Sequence, residues 1–179
     1  HVVYMGYMSR SRGLDVLFSV ADHLPDRFKI VFVGGGPDLG HFKSEAEKKK
    51  AGRIRIVGPV AHEWIFDMLR QADIGFISYS FEGLNNLYCA PNKIFEYAQA
   101  GLPVVTTCQP TISSLLHDFG IGELIGCAGT ISPKEIADAL VKISTRADSY
   151  KNEIDRFLHS LTWRQESERL VKEVRACLR

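Results

Sequence analysis

The chain has 179 residues, 45% of them hydrophobic, enough to build one domain around its own core without disulfide or metal staples. Lys and Arg total 22 against 21 acidic residues, a formal net charge of +1, so no overall field favours nucleic acid or an anionic membrane surface and any anion site must be local. Cys89, Cys108, Cys127 and Cys177 form no C-x-x-C pair and have no histidine beside them at ligand spacing, which argues against a metal ribbon and for reduced thiols in a cytoplasmic protein. No apolar run approaches the roughly 20 residues of a membrane span, and no export signal is visible. His1-Val2-Val3 enters directly into a strand without an initiator Met, which reads as a piece of a longer protein.

In chain order, short β-branched or aromatic runs alternate with segments of helical period, the pattern of a doubly wound parallel sheet. Strands are expected over Val2–Tyr7, Phe28–Val33, Ile54–Val57, Ile74–Ser78, Val104–Thr107 and Glu123–Ile125. Helices are expected over Leu14–Leu24, Asp38–Lys50, Glu63–Gln71, Asn92–Ala100 and Ile112–His117. Ser132-Pro133-Lys134-Glu135 reads as a capping box opening a helix to Ser144, and Thr162-Trp163-Arg164-Gln165 as a second, opening a terminal helix to Leu178. Tyr79–Ala90 has no clear period and reads as a loop of functional length. No element is assigned between Ser144 and Thr162.

In open α/β sheets ligands sit beyond the carboxyl ends of the strands, so chemistry is sought in the loops there. Gly6 to Gly13 carries Arg10 and Arg12 ahead of a helix, donors and dipole suited to a diphosphate, with Arg12 the better placed. Gly34-Gly35-Gly36-Pro37 is either a ligand-approach loop or a tight turn; it is not a dinucleotide fingerprint, because Leu39 stands where G-x-G-x-x-G needs glycine. Gly58-Pro59-Val60 offers an apolar rim for a base. Around Pro91, Asn92 is expected to cap a helix whose first turn contains Lys93, a cation that opposes the helix dipole unless an anion meets it there. Glu96, one turn on, is a carboxylate able to accept two hydroxyls of a cis-diol; a solvent-facing Lys93–Glu96 ion pair is the alternative. Hydrolase and metal-centred chemistry find no motif.

These residues resemble the C-terminal, nucleotide-sugar donor domain of the GT-B-fold retaining glycosyltransferases of the group 1, or family 4, type. The resemblance runs from the Gly6 loop through Val31–Pro37, Ile54–Val60 and Ala72–Phe76 to Pro91-Asn92-Lys93-Ile94-Phe95-Glu96-Tyr97 and Gly101-Leu102-Pro103-Val104-Val105. It implies a Rossmann-like α/β fold, the C-terminal half of a GT-B fold, with residues 1–179 forming one nucleotide-sugar-binding domain and the N-terminal acceptor domain absent. The implied reaction is transfer of a sugar from a nucleoside diphosphate sugar, a UDP- or GDP-sugar, with retention and with neither metal nor other cofactor, in polysaccharide assembly. The implied partners are a nucleotide sugar and the missing domain, with no nucleic acid and membrane association only through that domain. The terminal helix would pack partly against it.

Carried onto matching positions, Arg12 and Lys93 would act on the leaving diphosphate. Gly6, Arg12, Gly35, Gly36, Val60, Asn92, Lys93 and Glu96 would hold the nucleotide, Glu96 at the ribose. Two departures stand out. The sugar-contacting carboxylate of the family's Glu-x7-Glu motif falls at Tyr88, and Glu82, 14 positions before Glu96, is the alternative sugar contact. The family's arginine position is Tyr7 and its lysine position Arg12. An epimerase of related fold, or a nucleotide-binding or protein-interaction module with a decayed transferase site, is the competing reading.

Overall fold

The computed structural model describes residues 1–50 and 52–178. Six strands, β1 (Val2–Met5), β2 (Ile30–Val33), β3 (Ile54–Gly58), β4 (Ile74–Ile77), β5 (Val104–Thr107) and β6 (Gly122–Ile125), form one sheet in the order β3-β2-β1-β4-β5-β6. Every pairing is parallel. A parallel strand is covered on both faces, and every residue of β1, β4 and β5 is buried, which explains their unbroken apolar runs.

Among the described residues the helices are α1 (Val16–His23), α2 (Leu39–Glu47), α3 (Ile65–Leu69), the single turn α4 (Leu84–Leu87), α5 (Asn92–Gln99), α6 (Pro110–Phe119), α7 (Pro133–Ser144), α8 (Ala147–Ser160) and α9 (Trp163–Cys177). Helices α1, α2 and α7 cover one face, where Phe18 and Phe42 stack on Phe32 with ring centroids 5.4 and 6.0 Å away. On the other face α5 lies over β4, and α8 bridges α5 and α6 through Phe157, which stacks on Phe95 and meets Phe119 edge-on.

Several boundaries differ from expectation. β1 ends at Met5 rather than Tyr7, and α1 starts at Val16 because Arg10–Arg12 forms a 3-10 turn closed by Gly13 at φ 67°. α6 is longer than expected, since Pro110 occupies its first turn, where a missing N–H costs nothing. α8 was not anticipated, although Tyr150, Ile154 and Phe157 lie on one buried stripe at helical spacing. The Thr162 capping box is present, the hydroxyl accepting from Gln165 N–H and the Gln165 side chain answering at Thr162 N–H. The Ser132 box is not: Ser132 makes no capping bond, and the Glu135 carboxylate accepts from Gly126 N–H at 2.9 Å, tying α7 to the turn after β6. The four cysteines are free thiols. Among the described residues, no helix is long and apolar enough to cross a membrane.

Candidate functional site

The strand order reverses between β1 and β4, and the loops after both strands open a crevice at that point. Two glycine-bearing loops build its floor. Gly6 donates to Val33 O at 2.8 Å, Gly34 to Gly58 O at 2.8 Å and Met8 to Gly35 O at 2.9 Å, so the strand ends continue upward as interlocked loops. Backbone packing accounts for two of the glycines: a Cβ on Gly34 would lie 2.0 Å from the Gly6 carbonyl oxygen, and one on Gly36 would lie 2.2 Å from that of Met8. Backbone packing thus fixes glycine at 34 and 36, while Gly35 faces the Pro59 ring and the neighbouring Val60 is half-buried.

Lys93 enters from α5 and passes over the end of β1. A Cβ on Gly6 would be 2.7 Å from its Cε and 2.9 Å from its Nζ, so the Lys93 head rests directly on the glycine, whose φ of +139° also disfavours any other residue. Its Nζ sits 5.0 Å from the Tyr4 ring centroid and 5.6 Å from that of Tyr79, and the Arg12 guanidinium lies 4.9 Å from the same Tyr79 centroid. Two cations therefore share one aromatic shelf. Among the described residues neither has a carboxylate within ion-pair distance, and the alternative Lys93–Glu96 pair does not form. Burial pushes the Lys93 ammonium down to about 8, with Arg12 adding to the shift and Glu96 partly opposing it. Burial likewise raises the Tyr4 phenol to about 12 and the Tyr79 phenol above its ordinary range, Arg12 partly offsetting both.

The shelf is rigid. Tyr79 N–H donates to Thr107 Oγ1 at 3.0 Å, the Thr107 hydroxyl donates to Gln109 Oε1 at 2.6 Å, and Gln109 Nε2 returns to Tyr79 O at 3.0 Å. All of these polar atoms belong to buried residues, and the ring closes without an unpaired member.

Asn92 does not cap α5. Pro91 occupies the capping position, Asn92 is the first helical residue, and no side chain accepts from the first turn. Proline there offers no side-chain acceptor; Ile94 N–H bonds to the Pro91 carbonyl at 3.2 Å, and among the described residues the Asn92 and Lys93 N–H groups have no partner. Glu96 is half-buried on the next turn, and among the described residues its carboxylate has neither hydrogen-bond nor ion-pair partner. Tyr7 and Tyr88 are 58% and 63% exposed, outside the packed part of the crevice. Arg10 is drawn away, its guanidinium 3.6 Å from Asp15.

Beside Arg12 the crevice widens into an open cavity of about 480 Å³ whose walls include Ser11, Ser78, Ser80 and Glu82. The Ser78 hydroxyl is fully buried there without a hydrogen-bond partner, an orphan that a bound polar group would relieve. A larger cavity, about 720 Å³, lies along β1–β3 beside α3. Aliphatic side chains such as Val3, Val31, Val57 and Met68 line much of it, and it has no pair of shelf-held cations. Among the described residues no cluster of metal-ligating side chains occurs.

Tyr4, Tyr79, Thr107 and Gln109 escaped the sequence reading. Tyr79 carried a signal, being the first residue after the expected strand Ile74–Ser78 at the switch point. Tyr4 carried none, since an aromatic inside a strand reads as core.

The family model described as glycosyl transferases group 1 matches residues 1–146. The Bacillus subtilis (strain 168) protein TuaC, named as a teichuronic acid biosynthesis glycosyltransferase, is 32% identical over 144 residues, covering 80% of this chain and 32% of TuaC. This chain therefore spans about a third of that relative's length. Among solved structures, Anabaena HepE in complex with UDP and glucose superposes with a TM-score of 0.76 at 15% identity, over 98% of this chain and 48% of HepE. The C-terminal domain of the Francisella tularensis group 1 glycosyl transferase LpcC superposes with a TM-score of 0.70 at 18% identity, over 89% of this chain and 83% of that one. The chain belongs to the group 1 glycosyl transferases, and its fold is that of a GT-B domain.

Proposed function

We propose that this group 1 glycosyl transferase chain is the donor-binding domain of a retaining sugar transferase, and that the crevice between β1 and β4 takes the nucleoside diphosphate of a UDP- or GDP-sugar. The observation that carries the reading is the pair of cations, Arg12 and Lys93, held on one aromatic shelf at the switch point without a protein counter-anion. Two like charges this close oppose each other, and a diphosphate resolves the conflict by meeting both. The open first turn of α5 adds backbone donors and the positive dipole end.

In this reading Arg12, Lys93 and the N–H groups of Asn92 and Lys93 stabilise the charge that grows on the departing diphosphate. The ribose lies against Glu96, whose free carboxylate accepts its two hydroxyls. The base rests between Gly35 and Val60. The donor sugar occupies the cavity beside Arg12, where Glu82 rather than the exposed Tyr88 is within reach and Ser78 has an unused hydroxyl. Transfer needs neither metal nor cofactor, and polysaccharide assembly is the process proposed, in keeping with the names of TuaC and its relatives. HepE, held with UDP and glucose, makes UDP the first nucleotide to try.

The acceptor is assigned to the remainder of a longer protein. Helix α9 buries none of its residues and, with Leu178 just beyond its end, presents Trp163, Leu170, Val171 and Val174 to solvent, an apolar stripe suited to docking against it.

A thermal-shift panel of UDP, GDP, ADP and CMP tests the proposal: a nucleotide diphosphate at 100 times its dissociation constant stabilises by about 2.7 kcal/mol. Absence of a shift with every diphosphate would sink the donor-domain reading and leave a decayed site in its place.

A further inference from the structure

We propose that Tyr97 is a positioning residue, whose buried hydroxyl takes the place of one rung of the sheet between β1 and β4 and so holds the crevice open with the Gly6 loop seated beneath Lys93. Its functional half rests on the crevice being the nucleotide site; its structural half stands independently.

β1 stays paired with β2 along its whole length, through Met5↔Val33, but with β4 only at Val2↔Ile74 and Val3↔Gly75. One step further along a parallel ladder, Met5 N–H would bond directly to the Phe76 carbonyl. The Tyr97 hydroxyl stands between them instead. It accepts from Met5 N–H at 2.9 Å, and its own proton is shared between the Val3 carbonyl at 3.3 Å and the Phe76 carbonyl at 3.4 Å. These residues are all buried, so splaying the strands without the phenol would strand the Met5 N–H away from water and acceptor alike.

The ring has a matching seat. A Cβ on Gly75 would fall 2.4 Å from the Tyr97 ring, so the glycine of β4 and the tyrosine of α5 occupy one space. Lys93 is one helical turn before Tyr97 and shares its face. A single stripe of α5 thus grips the last amide of β1 with Tyr97 and covers the next residue, Gly6, with Lys93. Lys93 is faced by Tyr4 from β1, Arg12 from the following turn, Tyr79 from the loop after β4, and Cys89 and Glu96 from its own side. Its place among them depends on where β1 ends.

The test is Tyr97→Phe, which keeps the ring on Gly75 and deletes only the hydroxyl. Calorimetric titration with UDP and GDP, well below the unfolding temperature, is expected to show affinity weakened about tenfold or more. Tyr150→Phe is the control, removing another phenol hydroxyl, bonded at 2.6 Å to Glu123, far from the crevice. It should lower the melting temperature and leave nucleotide affinity within twofold. Tyr97→Phe behaving like this control would overturn the positioning role.

If the wild type binds neither nucleotide, the donor-site reading fails, and amide exchange still decides the structural claim. Met5 N–H should exchange as slowly as its core neighbours in wild type and about tenfold faster or more in Tyr97→Phe. Equal exchange in the two proteins overturns the claim. Should the variant not fold, a Met5 amide in wild type exchanging like an open-loop amide does the same.

Discussion

Replacing Lys93 by Met retains much of the aliphatic stem and removes the charge, and the structure sets the sign of the result. The folded protein holds this ammonium at about 8 against 10.5 for a free lysine, chiefly through burial. At neutral pH that corresponds to a cost of about 3 kcal/mol for keeping the group charged. Attraction to the faces of Tyr4 and Tyr79 offsets about 1 to 2 kcal/mol, so Lys93→Met is expected to stabilise the nucleotide-free protein by about 1 to 2 kcal/mol at pH 7. The pH dependence follows. Below pH 8 the lysine is protonated in both states and the cost is constant; between about 8 and 10.5 the unfolded chain binds a proton that the folded one lacks, so wild-type stability gains a contribution that grows with pH. Lys93→Met loses that contribution. Urea unfolding of both proteins at pH 7 and pH 9.5 measures it, and the variant should bind UDP or GDP far more weakly while being the more stable fold. A variant less stable than wild type at pH 7, or one whose stability rises equally with pH, would refute a desolvated cation awaiting an anion.

Glu96→Ala should weaken nucleotide binding by about 2 to 3 kcal/mol, roughly 30- to 150-fold, through loss of two charge-assisted bonds to ribose, with little change in melting temperature; unchanged affinity in a calorimetric titration would make Glu96 an ordinary surface acid. Gly34→Ala places a Cβ 2.0 Å from the Gly6 carbonyl oxygen at a φ of +135°, and chemical denaturation should show a loss of at least about 2 kcal/mol. Thr162→Ala removes the cap of α9 and should cost that helix about 1 kcal/mol, read as faster amide exchange confined to α9.

The strands were legible because a parallel sheet buries both faces, and β-branched runs such as Ile30-Val31-Phe32-Val33 have few other uses. Element ends were less so. Arg10–Gly13 tightens into a 3-10 turn because Ser9 accepts from Ser11 N–H and Gly13 adopts a left-handed conformation, details that periodicity does not carry. Lys93 drew attention from sequence because a cation in a helix's first turn opposes the dipole, and Arg12 because it stands beside glycine ahead of a helix. Their shelf could not be read there, because Tyr4 and Tyr79 meet only when β1 and β4 come together, 75 positions apart in the chain. Likewise Glu135 fits a capping box locally, yet the Gly126 amide, brought near by β6, is the donor it meets.

The most direct test of the central claim is the crystal structure of the protein grown with UDP or GDP. The account predicts the diphosphate between Arg12 and Lys93 at the start of α5 and the ribose hydroxyls on Glu96. A nucleotide bound elsewhere, as in the cavity beside α3, or a crevice in which Lys93 stays on Tyr4 and Tyr79 with no phosphate near it, would contradict the account.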